Sequence, residues 1–248
     1  MLLRRLLPLL LLRPMSPLPL LHTSSLAVVP PPPAWPRLQQ LRVDQRDAGL
    51  LRWPPHCNLL YPFPAPDKFP ALAEALHARL SAEPAFEVTL ASFGCFLRET
   101  SSVLYLAPSD PTPLLRLHAA LLEEFPDRRA FYEKRPFTPH FTVTHFAGAG
   151  HRERCEAAAR ALGEGWEPLA FGVGELQMME RRGKGGAFEP GAVVGLGGEG
   201  WEVSGGGGFE GMLGGEDLDW VAGVRKELQQ RQRRKARKKG DKGGGVQS

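Results

Sequence analysis

Cysteine is scarce in this 248-residue chain: Cys57, Cys95 and Cys155 are odd in number and far apart in sequence. They form no C-x-x-C and no His/Cys grouping at zinc spacing, so a disulfide framework and a zinc finger are both excluded and reduced thiols are expected. No apolar run reaches the length of a membrane span. No acidic residue precedes Asp44. G-x-S-x-G and H-E-x-x-H are absent, and RRGKGG at 181–186 lacks the spacing and the following Ser/Thr of a phosphate-binding P-loop.

What is present is a hydrophobic fraction of 42 %, enough for a soluble core without staples. The formal net charge of +4 is unevenly spread. Residues 225–242 carry ten Lys/Arg against two acids, and residues 1–25 carry three Arg and no acid, which leaves the stretch between them acidic. The Leu/Arg-rich opening, residues 1–24, reads as a targeting leader for an organelle (mitochondrion or plastid), with secretion or a plain cytoplasmic start as alternatives. Residues 183–223 are glycine-rich and read as a flexible linker, with the core extending at most to about 201. Residues 224–248 read as a basic tail, either solvated or contacting RNA. The body, 25–182, is expected to be monomeric.

Within the body, strand and helix signals alternate. SLAVVP, HCNLLYPF, FEVTLASFGCF, SSVLYLAP, FTPHFTVTHF and PLAFGVGELQMME carry strand patterns. PRLQQLRVDQ, PDKFPALAEALHARLSAE, TPLLRLHAALLEEF and HRERCEAAARALGEG carry helical ones. The fold class is α+β, in two similar halves with antiparallel pairing.

Two strands repeat one sentence, PPHCNLLYPF and TPHFTVTHF. Side chains alternate along a strand, so His56 and Asn58 share one face while Cys57, Leu59, Tyr61 and Phe63 take the other. Likewise His140 and Thr142 share a face, with Phe141, Val143 and His145 expected in the core behind. Cys57 therefore points away from His56, which argues against a Cys–His dyad. His77 and His118 sit in helical patterns and read as surface or packing. Phe93, Phe96 and Tyr132 read as core, with base stacking as the alternative. Two imidazoles beside two hydrogen-bond donors suit a phosphoryl centre, because imidazole takes and gives protons near neutral pH and the donors hold the non-bridging oxygens. The scheme uses no metal and no cofactor.

These two motifs and their surroundings, FGCF followed by SSVLYL included, resemble the two-histidine (2H) phosphoesterase superfamily in its 2′-5′ RNA ligase-like branch. The resemblance runs from about Leu26 to Met179. It implies two pseudo-symmetric lobes whose antiparallel sheets flank a central cleft, with helices outside. It also implies a hydrolase that opens 2′,3′-cyclic phosphates of nucleotides or RNA ends. His56 and His140 take the acid and base roles, with His140 guessed as base, and Asn58 and Thr142 hold the phosphate. Asn58 departs from the family's threonine or serine. The alternatives are an RNA ligase-like transferase on the same fold and an RNA-binding protein.

Overall fold

The computed structural model describes residues 18–183 and 186–203, with Gly223 and Lys226. In chain order, strands β1 (Leu20–Leu21) and β2 (Ser24–Val28) precede helix α1 (Trp35–Asp44). Then come β3 (Cys57–Leu60), β4 (Phe63–Pro64), α2 (Phe69–Leu80), β5 (Phe86–Leu97) and β6 (Ser101–Pro108). Helices α3 (Thr112–Glu124) and α4 (Pro126–Lys134) lead to β7 (Phe141–Ala147), α5 (His151–Gly163) and β8 (Leu169–Val173). The chain then forms β9 (Glu175–Arg181), β10 (Phe188–Gly195) and β11 (Trp201–Val203). Both larger sheets are antiparallel, ordered β11-β10-β9-β2-β3 and β7-β6-β5-β8. The fold is α+β.

One apolar core lies behind both sheets. Leu26, Val28, Cys57 and Leu59 from the first share it with Leu104, Leu106, Phe141 and Val143 from the second. Helices α2 and α3 seal it with Leu72, Leu76 and Leu80 and with Leu114, Leu117 and Leu121. Those leucines recur at three- and four-residue intervals, the period that places them on one helical face. β3 and β7 meet at the seam between the sheets, where the His140 backbone N–H is directed at the Cys57 sulfur.

Two expected boundaries move. The leader was expected to run to residue 24, but β1 already pairs with β4 (Leu20↔Pro64, Leu21↔Phe63). Ser24 is fully buried and its Oγ donates to the Pro64 carbonyl at 2.7 Å; residues 1–17 lie outside the described residues. The glycine-rich stretch from 183 reads as linker with the core reaching at most to about 201; β10 lies within that allowance and β11 runs just past it, both extending the five-stranded sheet. Its apolar residues decide this, since Phe188, Ala192, Val194 and Leu196 are buried. Gly191 serves close packing rather than freedom: a Cβ there would meet the Phe69 ring at 2.7 Å, at the point where the β9–β10 register shifts. The rest of that stretch and the basic tail lie outside the described residues, apart from Gly223 and Lys226. Helix α4 was not read from the sequence.

Candidate active site

Both motif histidines stand one residue before their strands, behind a proline, and are oriented in the same way. The Nδ1–H of His56 donates to the Pro54 carbonyl at 2.8 Å, and that of His140 to the Thr138 carbonyl at 2.7 Å. A carbonyl only accepts, so each Nδ1 carries the hydrogen and each Nε2 is left as the working nitrogen. The rings are close enough that charge on His140 disfavours charge on His56.

Asn58 is held more tightly than its sequence suggests. The hydroxyl of Ser25, fully buried on the neighbouring strand, donates to Asn58 Oδ1 at 2.5 Å. That fixes the amide orientation and turns Nδ2 toward His56 Nε2 at 3.1 Å, where it donates to the lone pair. Ser25–Asn58–His56 is thus a directed chain of donors, and one Asn58 N–H remains uncommitted. Thr142 is half-buried opposite Tyr105, and among the described residues no hydrogen bond engages its hydroxyl.

Aromatic rings flank both imidazoles. Trp53 lies flat on His56, with ring centroids 4.4 Å apart at 18°, and Phe188 stacks on the far face of the Trp53 group. Phe96 and Tyr105 stack on each other, and both present edges to His140, Phe96 at 4.8 Å and Tyr105 at 5.5 Å. Gly94 makes room for Tyr105, because a Cβ there would lie 2.5 Å from its ring. Phe96 is therefore a site-side residue rather than core.

Two residues change face. In β7 the register slips between Leu104↔Thr144 and Tyr105↔Thr142, leaving Val143 as an extra residue. A bulge of this kind inverts the alternation beyond it, so His145 leaves the expected core for the exposed front, in a row with Val103 and Phe96. Its Nδ1 is 3.8 Å from Oδ1 of Asp47, a buried carboxylate that Arg42 also grips through Nε and Nη2. In β3 the slip between Leu26↔Leu60 and Ala27↔Asn58 makes Leu59 the extra residue. Tyr61 moves accordingly and packs against Trp53.

Electrostatics disfavour charge on both imidazoles. Burial is the main force lowering His56 to about 3; the Arg42 guanidinium and His140 add to it, against the Pro54 carbonyl and Asp47. His140 is lowered from its ordinary 6.5 by burial first, then by Arg98 and His145, against the Thr138 carbonyl. Burial raises Asp47, but His145, Arg42 and the Gly49 N–H outweigh it and leave the carboxyl below its usual range. Burial pushes the Cys57 thiol up to about 12, so it is no nucleophile beside His56. A larger cavity of about 690 Å³ lies farther across the five-stranded sheet. Glu175, Glu199 and Glu202 line it, a poor reception for phosphate.

Two half-buried imidazoles at the seam of paired antiparallel sheets, each with Nδ1 anchored two residues back, define a two-histidine site on an α+β scaffold. The family model of the 2′-5′ RNA ligase superfamily matches residues 30–185. The chain belongs to that superfamily, among the two-histidine phosphoesterases. Solved structures with a similar course include Escherichia coli LigT complexed with 3′-AMP (18 % identity, 71 % of this chain and 98 % of that one, TM-score 0.48). TT0787 of Thermus thermophilus matches at 20 % identity over 71 % of this chain and 98 % of that one, again with TM-score 0.48. No curated protein matches the chain.

Proposed function

We propose that the protein is a phosphodiesterase that opens 2′,3′-cyclic phosphates of nucleotides or RNA ends, with His56 as general base and His140 as general acid. The observation that carries this reading is the matched anchoring of the two imidazoles, which ties up each Nδ1 and makes Nε2 the proton-transfer nitrogen of both. These roles are the reverse of the sequence expectation, His140 as base and His56 as acid. His56 Nε2 already accepts a hydrogen bond and stays unprotonated down to about pH 3, which suits a base.

In this scheme the cyclic phosphate enters between the strands, and the Asn58 amide passes from His56 Nε2 to a non-bridging oxygen. Thr142 donates to the other. His56 Nε2 takes a proton from water as its oxygen bonds to phosphorus. The bond from phosphorus to one ribose oxygen breaks, and His140 Nε2–H protonates that oxygen. The two transfers are worth roughly 10² to 10⁴ each in rate. Among the described residues no three His, Cys, Asp or Glu side chains group to hold a metal, and no step is routed through one. The Phe96–Tyr105 stack offers a surface for a base, and the basic 225–242 run supplies RNA contact beyond the site.

The test is mass spectrometry of products from a panel of 2′,3′-cyclic nucleotides, run with and without a chelator. A single nucleoside monophosphate from each substrate, unaffected by chelation, is expected. Activity that vanishes with chelation and returns with zinc or magnesium overturns the mechanism. Joining of RNA ends without hydrolysis favours the transferase reading.

A further inference from the structure

Cys95 and Cys155 are 60 residues apart in the chain, yet their sulfurs lie 2.6 Å apart. Both are free thiols. Cys95 sits on β5 opposite Leu104, on the side where α5 packs, and Cys155 is the buried residue of α5. An S–S bond measures about 2.05 Å, so the two sulfurs already lie within about half an ångström of bonding distance. All three thiols are free, as the sequence implies, but two of them are neighbours in space.

We propose that Cys95 and Cys155 are a modification site, a thiol pair that a hydroperoxide converts to an intrachain disulfide and a dithiol restores. Cys95 is partly exposed and Cys155 fully buried, so the oxidant meets Cys95 first. The Cys95 thiolate attacks the peroxide oxygen, the O–O bond breaks, and Cys95 becomes a sulfenic acid while the peroxide's other oxygen leaves as hydroxide or alkoxide. The Cys155 sulfur then attacks the Cys95 sulfur, the S–O bond breaks, and the Cys155 proton leaves with the hydroxide as water. In sum, two thiols and one hydrogen peroxide give a disulfide and two waters.

The neighbours give the pair a functional setting. Cys95 lies beside Phe96, whose edge touches His140, so the bond would tie α5 covalently to the strand that walls the site. Burial is the main cause raising the Cys155 thiol to about 12, consistent with a resolving rather than a first-reacting role. Cys57, fully buried with a thiol near 12, serves as the internal control.

The experiment treats reduced full-length protein with hydrogen peroxide, unfolds it in N-ethylmaleimide, and maps the peptides by mass spectrometry. The expected product carries one label, on Cys57, and a peptide joining Cys95 to Cys155; dithiothreitol before labelling restores three labels. Cys57→Ala should still bridge, whereas Cys95→Ser and Cys155→Ser should not. Three unblocked thiols after treatment, a sulfinic Cys95 without a bridge, a bridge through Cys57, or one between two chains would each overturn the proposal. Because the wild-type map is decisive alone, poor folding of any variant leaves the test intact.

Discussion

Asn58 separates the recognised motif from its chemistry, because its amide is steered by a residue on another strand. Ser25→Ala removes the donor that fixes Oδ1. One net hydrogen bond is worth roughly 0.5–1.5 kcal/mol, so steady-state assays should show kcat lowered by up to about tenfold with the far-UV spectrum unchanged. Asn58→Leu removes the donor outright and should cost roughly 10² to 10³ in rate. A wild-type rate in Asn58→Leu would return that residue to a structural role. His56→Ala and His140→Ala should each lower turnover by about 10² or more, with the double variant little worse, since groups acting as a unit lose activity non-additively. Acidity follows from the same residues. Base catalysis by His56 survives to about pH 3. Acid catalysis by His140 needs its proton and therefore declines as pH rises through a pKa below 6.5. A pH profile of kcat/KM should accordingly fall on the alkaline side before pH 6.5, and His145→Gln, by removing a charge that lowers His140, should move that limb upward.

The bulges in β3 and β7 are the same device used twice. Each falls three positions after the histidine, at Leu59 or Val143, and sends the residue five positions after it, Tyr61 or His145, to the front. Strict alternation had placed both behind, and that is where strand periodicity stops being readable: a bulge depends on the partner strand. Pairing likewise hid Ser25, and the glycine count hid β10. The strand and helix order was otherwise legible from apolar periodicity, as were the shared faces of His56 with Asn58 and of His140 with Thr142. Phe188 tests the reassigned stretch. It is buried against Trp53, which in turn lies on His56. Phe188→Ala should cost about 3–5 kcal/mol in urea unfolding, whereas a linker residue would cost nothing measurable.

For the molecule as a whole, histidines that desolvation holds neutral make stability depend on pH. His56 and His118 titrate at about 3 and about 4 when folded, each chiefly because of burial, against an ordinary 6.5. Between those values the unfolded chain binds more protons than the folded one. Stability is therefore complete above pH 6.5 and is lost as pH falls toward 4 and then 3. Urea midpoints at pH 7.5, 5.5 and 4.5 should decline in that order. His118→Phe, at a site packed between Tyr132 and Phe137, should flatten the decline.

The main core, shared by both sheets, also bears on kinetics. Leucines of α2 and α3 belong to one buried cluster with residues of both larger sheets, so the sheets share a core rather than hinging about separate ones. Ligand capture should therefore involve no slow closure of one sheet on the other. In stopped-flow mixing with a non-hydrolysable nucleotide, the observed rate should rise linearly with ligand concentration. A plateau would reveal an opening step that this packing does not provide.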